Sequence, residues 1–376
     1  MPLFNVYPLY DVTPVSAKGM YVYDENNTPY LDLYGGHAVI SIGHGHPKYV
    51  EAITNQVAKL GFYSNAIQNP LQKELTDKLE TLSGCKEYQL FLCNSGAEAN
   101  ENALKLASFK TGKSRVIAFK NGFHGRTSAA VAATDNTSII APINAQQKVT
   151  ILELNDIERV QRELEKGDVC AIIIEFIQGV GGLDQATTKF FEKVDVLCKA
   201  NNTFFIADEV QSGYGRSGKF FAFQHYKVTP DIISIAKGMG NGFPIGGIFI
   251  HPSIEAKFGM LGTTFGGNHL ACVAGLSVLN VIEEDNLMHN VNEISQYFIK
   301  IARTIPQIKN IKGRGLMLGL EFDYEVSDLR KKLIYEYHIF TGGAANKKLL
   351  RILPPLNVKK EHINQFFKAL VNALDS

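Results

Sequence analysis

The chain has 376 residues, of which 45% are hydrophobic and 20% charged, and its formal net charge is +1. That balance predicts a soluble globular protein with room for two domains, or for one large core and a smaller lobe. It excludes the basic footprint of a nucleic-acid binder, the opening segment does not read as a secretory leader, and no apolar run approaches the roughly 20 residues of a membrane helix.

In chain order, the first 35 residues predict short strands and turns, with "GMYVYDENNTPYLDL" as a hairpin turning at Asp24 to Asn27. Near residue 46 the period changes. "HPKYVEAITNQVAKL" has helical spacing, with Val50, Ile53, Val57 and Leu60 on one face, and "LQKELTDKLETLS" repeats it. Strand-like and helix-like stretches then alternate: "YQLFLCNS", "GAEANENALKLASFKTG", "SRVIAFKN", "DIERVQRELEKG", "VCAIIIEFI", "TKFFEKVDVLCKANN" and "TFFIADEV", then an apolar run from Ile232 to Ala236. This alternation predicts an α/β fold with a mostly parallel sheet. After "GTTFGGNHLACVAGLSVLNVIEED" the texture becomes that of an α+β lobe. The expected organisation is an N-terminal segment of the small lobe at 1–45, a large domain at 46–265 and a C-terminal small domain at 266–376.

Some motifs carry no chemistry. Cys85, Cys93, Cys170, Cys198 and Cys272 are scattered and odd in number, which predicts reduced core thiols and neither a disulfide framework nor a zinc site. "GYGRSGKF" resembles a phosphate loop, but Phe220 stands where a magnesium-binding hydroxyl is required. His44 and His46 in "GHGHP" have no acidic or cysteine neighbours in sequence and read as a turn ahead of the helix at Pro47.

Three strand ends are more informative. In "FLCNSGAEANEN" a strand runs straight into a helix at Asn94-Ser95-Gly96. The helix start suits an anion, and Ser95 with Glu98 equally suits a capping box. Asp208 and Glu209 close the strand "TFFIADEV" at the edge where open α/β sheets bind ligands; the bland alternative is a solvated pair of acids. Lys237 closes another strand and is followed by glycines. It either snorkels to water or serves as a carbonyl nucleophile. An anion site, an acid and a lysine at one sheet edge would together match a cofactor with a phosphate, a basic ring nitrogen and an aldehyde. Pyridoxal 5′-phosphate has those handles.

"FLCNSGAEANENALKLA", "FHGRT", "IADEVQSGYGRSG", "IAKGMGNGFPIGG" and "TTFGGN" resemble the class III aminotransferases that use pyridoxal phosphate, and within that class the chain is most similar to the N-acetylornithine aminotransferases. The resemblance runs through nearly the whole chain in order. It implies fold type I, with a large, mostly parallel sheet of the seven-stranded type and a smaller α+β domain. It also implies cytoplasmic transamination between an acylated ornithine and 2-oxoglutarate, in arginine biosynthesis, by a homodimer with active sites at the subunit interface.

The resemblance implies residue roles as well. Lys237 matches the lysine that joins the cofactor, and Asp208 the acid on its ring nitrogen. Glu209 lies beside that acid and is carried over with the cofactor site. Val210 matches the side chain under the ring, Gln211 the group reaching the ring oxygen, and Phe123 the aromatic above it. Ser95, Gly96 and Ala97 match the phosphate cup, which Thr264 completes from a second subunit. Thr263 lies beside it where the family touches substrate. Arg126 and Arg351 match the two arginines that grip substrate carboxylates.

One position departs from the family pattern. Val180, in "IIIEFIQGVGGL", stands where relatives carry an acid that masks the second arginine. That leaves the donor open between N-acetylornithine and N-succinylornithine, with ornithine or another ω-amino acid as a further option. His37 stands where an aliphatic residue is expected, and reads as a contact for an acyl carboxylate or as a packed or solvated histidine. A non-catalytic ligand-binding dimer is disfavoured because Lys237 and Asp208 are both present. An aminomutase or racemase is disfavoured by the two arginines.

Overall fold

A computed structural model describes residues 1–375; the last residue of the expected small domain, Ser376, lies outside them. The central sheet has seven strands, in spatial order Gln89–Cys93, Gly246–Ile250, Ile232–Ile235, Phe204–Asp208, Val169–Ile174, Arg115–Phe119 and Val149–Leu152. Gly246–Ile250 runs antiparallel to both neighbours, and the other pairings are parallel. Val169–Ile174 and Ile232–Ile235 are buried along their whole length, which is why they read as unbroken apolar runs.

Two of these strands have no distinct signal in the sequence. Val149–Leu152 is a short edge strand. Gly246–Ile250 opens on two glycines that read as loop. Both glycines are required by close approach: a Cβ would lie 2.8 Å from the Ser95 carbonyl oxygen at Gly246 and 2.7 Å from that of Phe91 at Gly247.

Two smaller sheets complete the fold. Pro14–Lys18, Tyr21–Asp24 and Pro29–Asp32 form an antiparallel meander, and Ile339–Phe340 joins Pro29–Asp32 in parallel. The start of the chain is therefore tied to its last third. Asn310–Arg314, Met317–Glu321 and Leu349–Ile352 form an antiparallel sheet. Arg216 bridges to that region from the glycine-rich turn after Asp208; it is buried and donates to the carbonyls of Leu316 and Pro354. His44, solitary in sequence, meets Asp32 at 2.8 Å once the strand has folded back. Among the described residues no helix is long and apolar enough to cross a membrane.

The helix Pro47–Lys59 holds a surprise. An apolar stripe normally faces a core, yet Val50, Val57 and Leu60 are exposed. The half-buried face is instead Tyr49, Ala52, Ile53 and Gln56, and the helix packs against His269–Glu284.

The core beside the sheet is aromatic. Phe176 stacks on Phe191 at 4.4 Å and Tyr226 lies 4.6 Å from Phe191. Phe191 is fully buried, so truncating it leaves a cavity the sheet cannot collapse into. Phe191→Ala is expected to lower the unfolding free energy by about 3–5 kcal/mol, read as a fall in the denaturant midpoint without a change in slope.

Candidate active site

Five parallel strands deliver their C-terminal ends to one edge of the sheet, where a cavity of about 340 Å³ opens. Gln89–Cys93 leads into Ser95, Arg115–Phe119 into Phe123 and His124, and Val169–Ile174 into Glu175. Phe204–Asp208 ends on Asp208 and Ile232–Ile235 leads into Lys237. All of these residues line the cavity, together with Gly96, Ala97, Asn100, Arg126, Val210 and Gln211.

Asp208 is the most constrained of them. It is buried, and its Oδ2 accepts from His124 Nδ1 at 2.7 Å and from Asn100 Nδ2 at 2.8 Å. Among the described residues Oδ1 accepts only the Val210 backbone N–H, at 3.1 Å, so lone-pair capacity remains on that oxygen. Burial by itself pushes the His124 imidazole down, but the Asp208 carboxylate, with Glu175 behind it, outweighs burial and holds the ring's pKa above its ordinary value.

Lys237 adopts a left-handed backbone, φ +47°, directly after the strand. For a lysine this is an uncommon conformation of the kind that collects at functional sites. Its Nζ has no hydrogen-bond or ion-pair partner among the described residues. Burial pushes its pKa down; Asp208 and Glu175 oppose the shift, Arg351 adds to it, and the net direction is downward. A lysine so placed loses its proton more readily than one in water, as a nucleophile must.

The helix Gly96–Thr111 begins at the cavity wall. Ser95 Oγ accepts from Glu98 N at 3.1 Å, and the Glu98 carboxylate reaches past the cap to Asn94 N at 2.8 Å. Capping is therefore in place. The backbone N–H groups of Gly96 and Ala97 still have no acceptor among the described residues, as expected in a first helical turn. Anion binding and capping coexist. A Cβ on Gly96 would lie 2.5 Å from Val210 Cγ1, so the helix start and the cavity floor require glycine here.

The residues fit pyridoxal 5′-phosphate by tests internal to the fold. A helix start with free N–H groups suits the phosphate. A clamped carboxylate with a spare lone pair suits a protonated ring nitrogen. Gln211 Oε1 is buried without a partner, so its amide has hydrogen-bonding capacity left to spend. Lys237 brings a free amine.

Not every expected residue joins them. Glu209 does not line the cavity. Its buried carboxylate accepts from Ser212 Oγ and from the backbone N–H groups of Ala222 and Phe223, which ties down the following loop and corrects its assignment to the cofactor. Burial pushes that carboxyl up to about 7. Thr263 lines a neighbouring groove and contacts Asn94 Nδ2 and Glu98 Oε1, both at 3.3 Å. Thr264 is exposed and outside the cavity of its own chain. Arg126 stands exposed at the rim with no partner among the described residues. Arg351 is buried and donates from Nη1 to the Gly179 carbonyl at 2.6 Å and from Nε to that of Gly343. It has no carboxylate partner among the described residues; Val180, next in sequence to Gly179, carries only carbon in its side chain.

Sequence reasoning missed His124, Asn100 and Glu175. His124 sits in the quoted "FHGRT", and Asn100 lies one helical turn after Gly96. Glu175 is visible as the acid that interrupts "VCAIIIEFI". It accepts from Phe123 N at 2.9 Å and Gly179 N at 2.7 Å, and burial pushes it up to about 7.

The family model for class III aminotransferases matches residues 5–374. The chain is 40% identical to the acetylornithine aminotransferase of Aquifex aeolicus, covering 98% of each chain. It is 37% identical to that of Bacillus subtilis, over 99% of this chain and 97% of the relative. Among solved structures, an ornithine aminotransferase from Toxoplasma gondii superposes with a TM-score of 0.89 at 27% identity, covering 97% of this chain and 90% of that one, and its active site carries PLP at partial occupancy.

The His124–Asp208 contact has a pH signature. A histidine whose pKa is raised by folding contributes stability that is fully present below its ordinary value and is lost as pH rises through the native one. In the cofactor-free chain, the stability advantage of wild type over His124→Asn is expected to be largest below about pH 6.5 and to shrink at higher pH, measured by denaturant unfolding at a series of pH values.

Proposed function

Because this chain belongs to the class III aminotransferases and is a pyridoxal-phosphate-dependent transaminase, we propose that it transfers the side-chain amino group of N-acetylornithine to 2-oxoglutarate. The products are N-acetylglutamate semialdehyde and glutamate, and the reaction serves arginine biosynthesis. Full-length identity to acetylornithine aminotransferases supports the donor. The observation that carries the reading is the pair of guanidiniums free of carboxylates, Arg126 on the rim of the Lys237 cavity and Arg351 close enough to shift Lys237. Both partners of the reaction bring carboxylates, and a guanidinium fork grips one through two hydrogen bonds.

Bound pyridoxal phosphate supplies an aldehyde that takes up the amino group and a ring that holds the electron pair left on the substrate carbon. In this reading Ser95, Gly96 and Ala97 hold the phosphate, Val210 and Phe123 sandwich the ring, and Gln211 faces the ring oxygen. Asp208, oriented by His124 and Asn100, keeps the ring nitrogen protonated. Lys237 Nζ, its proton affinity reduced by burial, takes a proton from the amine-bearing carbon and returns one in the second half of the cycle. Arg126 orients the donor's carboxylate, and Arg351 grips the carboxylate beside the reacting carbon of glutamate or 2-oxoglutarate.

The same reading makes the protein a homodimer, with Thr264 of each copy completing the partner's phosphate site. The outward stripe of Val50, Val57 and Leu60 supports it, as do exposed Phe62, Tyr63, Ile67, Phe258 and Phe265. A groove of about 540 Å³ beside Phe258, lined by Phe91, Ile250 and Met260, extends this apolar surface. Exposed apolar area of this extent marks an association surface. Five free, buried cysteines support a reducing, cytoplasmic setting. We keep residues 46–265 as the large domain, flanked by the 1–45 segment and the 266–376 small domain.

Lys237→Ala is expected to abolish turnover, by at least ~10³-fold, while the fold survives, measured as glutamate formed from acylornithine and 2-oxoglutarate alongside circular dichroism. Run with acetylornithine, succinylornithine and ornithine, the assay should rank acetylornithine first in kcat/KM; a higher kcat/KM for succinylornithine would replace the proposed donor. Val57→Arg, set in the outward stripe, should shift the protein from dimer to monomer in sedimentation equilibrium and weaken cofactor retention.

A further inference from the structure

The absence of an acid at position 180 leaves a question about Arg351. A buried guanidinium needs partners. Here the side chain is held in another way. Its Nε and Nη1 donate to the carbonyls of Gly343 and Gly179, and the Tyr34 hydroxyl lies within hydrogen-bonding reach of the guanidinium. Its guanidinium carbon lies 6.0 Å from the centroid of the Tyr34 ring, within cation–π range.

Tyr34 is itself wedged. A Cβ on Gly342 would lie 2.5 Å from Tyr34 Cε2 and 3.1 Å from Arg351 Cβ, so only glycine lets ring and arginine close on each other. Gly342 and Arg351 also exchange two backbone hydrogen bonds of 2.8 Å. The Tyr34 hydroxyl meets His37 Nδ1 at 2.5 Å. His37 in turn sits on four consecutive left-handed residues, Gly35, Gly36, His37 and Ala38, at φ +56°, +53°, +68° and +64°. The two residues with side chains resist that conformation, so the turn persists only because its surroundings hold it. One of the holds is direct: Gln211 Nε2 donates to the His37 carbonyl at 3.2 Å. His37 stays neutral in this place. Burial, then the charges of Arg351, Lys237 and Arg330, pull its pKa down to about 4.

We propose that Tyr34 and His37 form an uncharged seat for Arg351 in place of a masking acid, so that its guanidinium stays open to a carboxylate on the reacting carbon throughout the catalytic cycle. The ligand class is a five-carbon dicarboxylate: a 2-oxo diacid, its amino counterpart, or an unreactive diacid of the same length. Tyr34 and His37 are positioning residues; Arg351 makes the contact. The inference rests on the reading of Arg351 given above, and it has a consequence that reading lacks. A carboxylate entering this site need not displace an internal acid, so diacids bind the holoenzyme strongly and compete with the amine donor.

The test uses the holoenzyme of wild type, Val180→Glu, Val180→Gln, Tyr34→Phe and His37→Asn. Asparagine tolerates positive φ, and position 180 is half-buried. Three quantities are measured: the Kd of glutarate by calorimetry, the KM and kcat for 2-oxoglutarate, and the rate at which glutamate alone bleaches the visible band. Val180→Glu is expected to weaken glutarate about tenfold and to raise the KM for 2-oxoglutarate by a similar factor, with the donor's KM little changed; Val180→Gln should move both far less. Tyr34→Phe and His37→Asn should raise the same Kd and KM about three- to tenfold while kcat stays within about twofold.

Unchanged glutarate affinity in Val180→Glu, or in both Tyr34→Phe and His37→Asn, overturns the proposal. So does a Val180→Gln effect equal to that of glutamate, because the charge would then be irrelevant. Should Val180→Glu fail to fold, the Tyr34 and His37 variants decide alone. Glutarate binding and the glutamate half-reaction need no acylornithine. If no acylornithine is turned over while these numbers hold, the donor assignment fails and the seat for Arg351 stands.

Discussion

The site depends on a buried polar group, the carboxyl of Asp208, and on what holds it at the end of a parallel strand. An unpaired carboxylate in that position would take up a proton or destabilise the fold. His124 and Asn100 both spend their donors on one of its oxygens. That arrangement fixes the carboxylate's plane and leaves lone-pair capacity on the second oxygen, which accepts the Val210 N–H. The neighbouring residues are arranged around the same group: Lys237 feels it across the cavity, and Glu175 beside it is pushed up to about 7, chiefly by burial with Asp208 adding to it. The edge thus combines a fixed anion, an amine of reduced proton affinity and a helix start with free N–H groups, as transamination on a phosphorylated pyridine aldehyde requires.

Sheet topology explains why these groups meet. Their positions in the chain run from Ser95 to Lys237, and no local spacing relates them. Parallel strands all end at the same edge, so five of them bring their functional residues together there. Gly246–Ile250, the single antiparallel strand, inserts between the first strand and the one that ends at Lys237. Its two glycines let the Ser95 and Phe91 carbonyls approach its backbone closely. The loop at Ser95 and the strand that leads into Lys237 are held in register by a strand with almost no side chain at its start.

Arg351 illustrates a second way of handling a buried cation. Carbonyl oxygens and an aromatic face satisfy it without cancelling its charge, whereas a carboxylate partner would satisfy it and also neutralise it. The difference bears on function, since a guanidinium whose charge is intact remains ready for an incoming carboxylate. The strained turn at His37 belongs to the same arrangement: it bridges Tyr34, which supports the arginine, and Gln211, which lines the cavity with Lys237.

Much was legible in the sequence. The alternation of apolar runs and amphipathic segments revealed the α/β class, and the identity of the residues closing each run marked Ser95, Asp208 and Lys237 as candidates, because a polar group directly after a buried strand is costly unless used. Glu209 passed the same test and was misplaced, since adjacent residues at a strand end turn to opposite sides and sequence does not say which side holds the cavity. His124, Asn100 and Tyr34 were invisible as partners because each acts through a contact made far away in the chain. The apolar stripe of Pro47–Lys59 showed that something must cover it, not where it faces. The sequence by itself thus determined which elements form and which chemistry-bearing residues end them, because these follow from periodicity and the cost of burying polar groups. Only the tertiary structure decided which oxygen of Asp208 is taken by His124 and Asn100, what holds Arg351 and which side chains share the cavity, because these are distances between segments that touch only after the chain has folded.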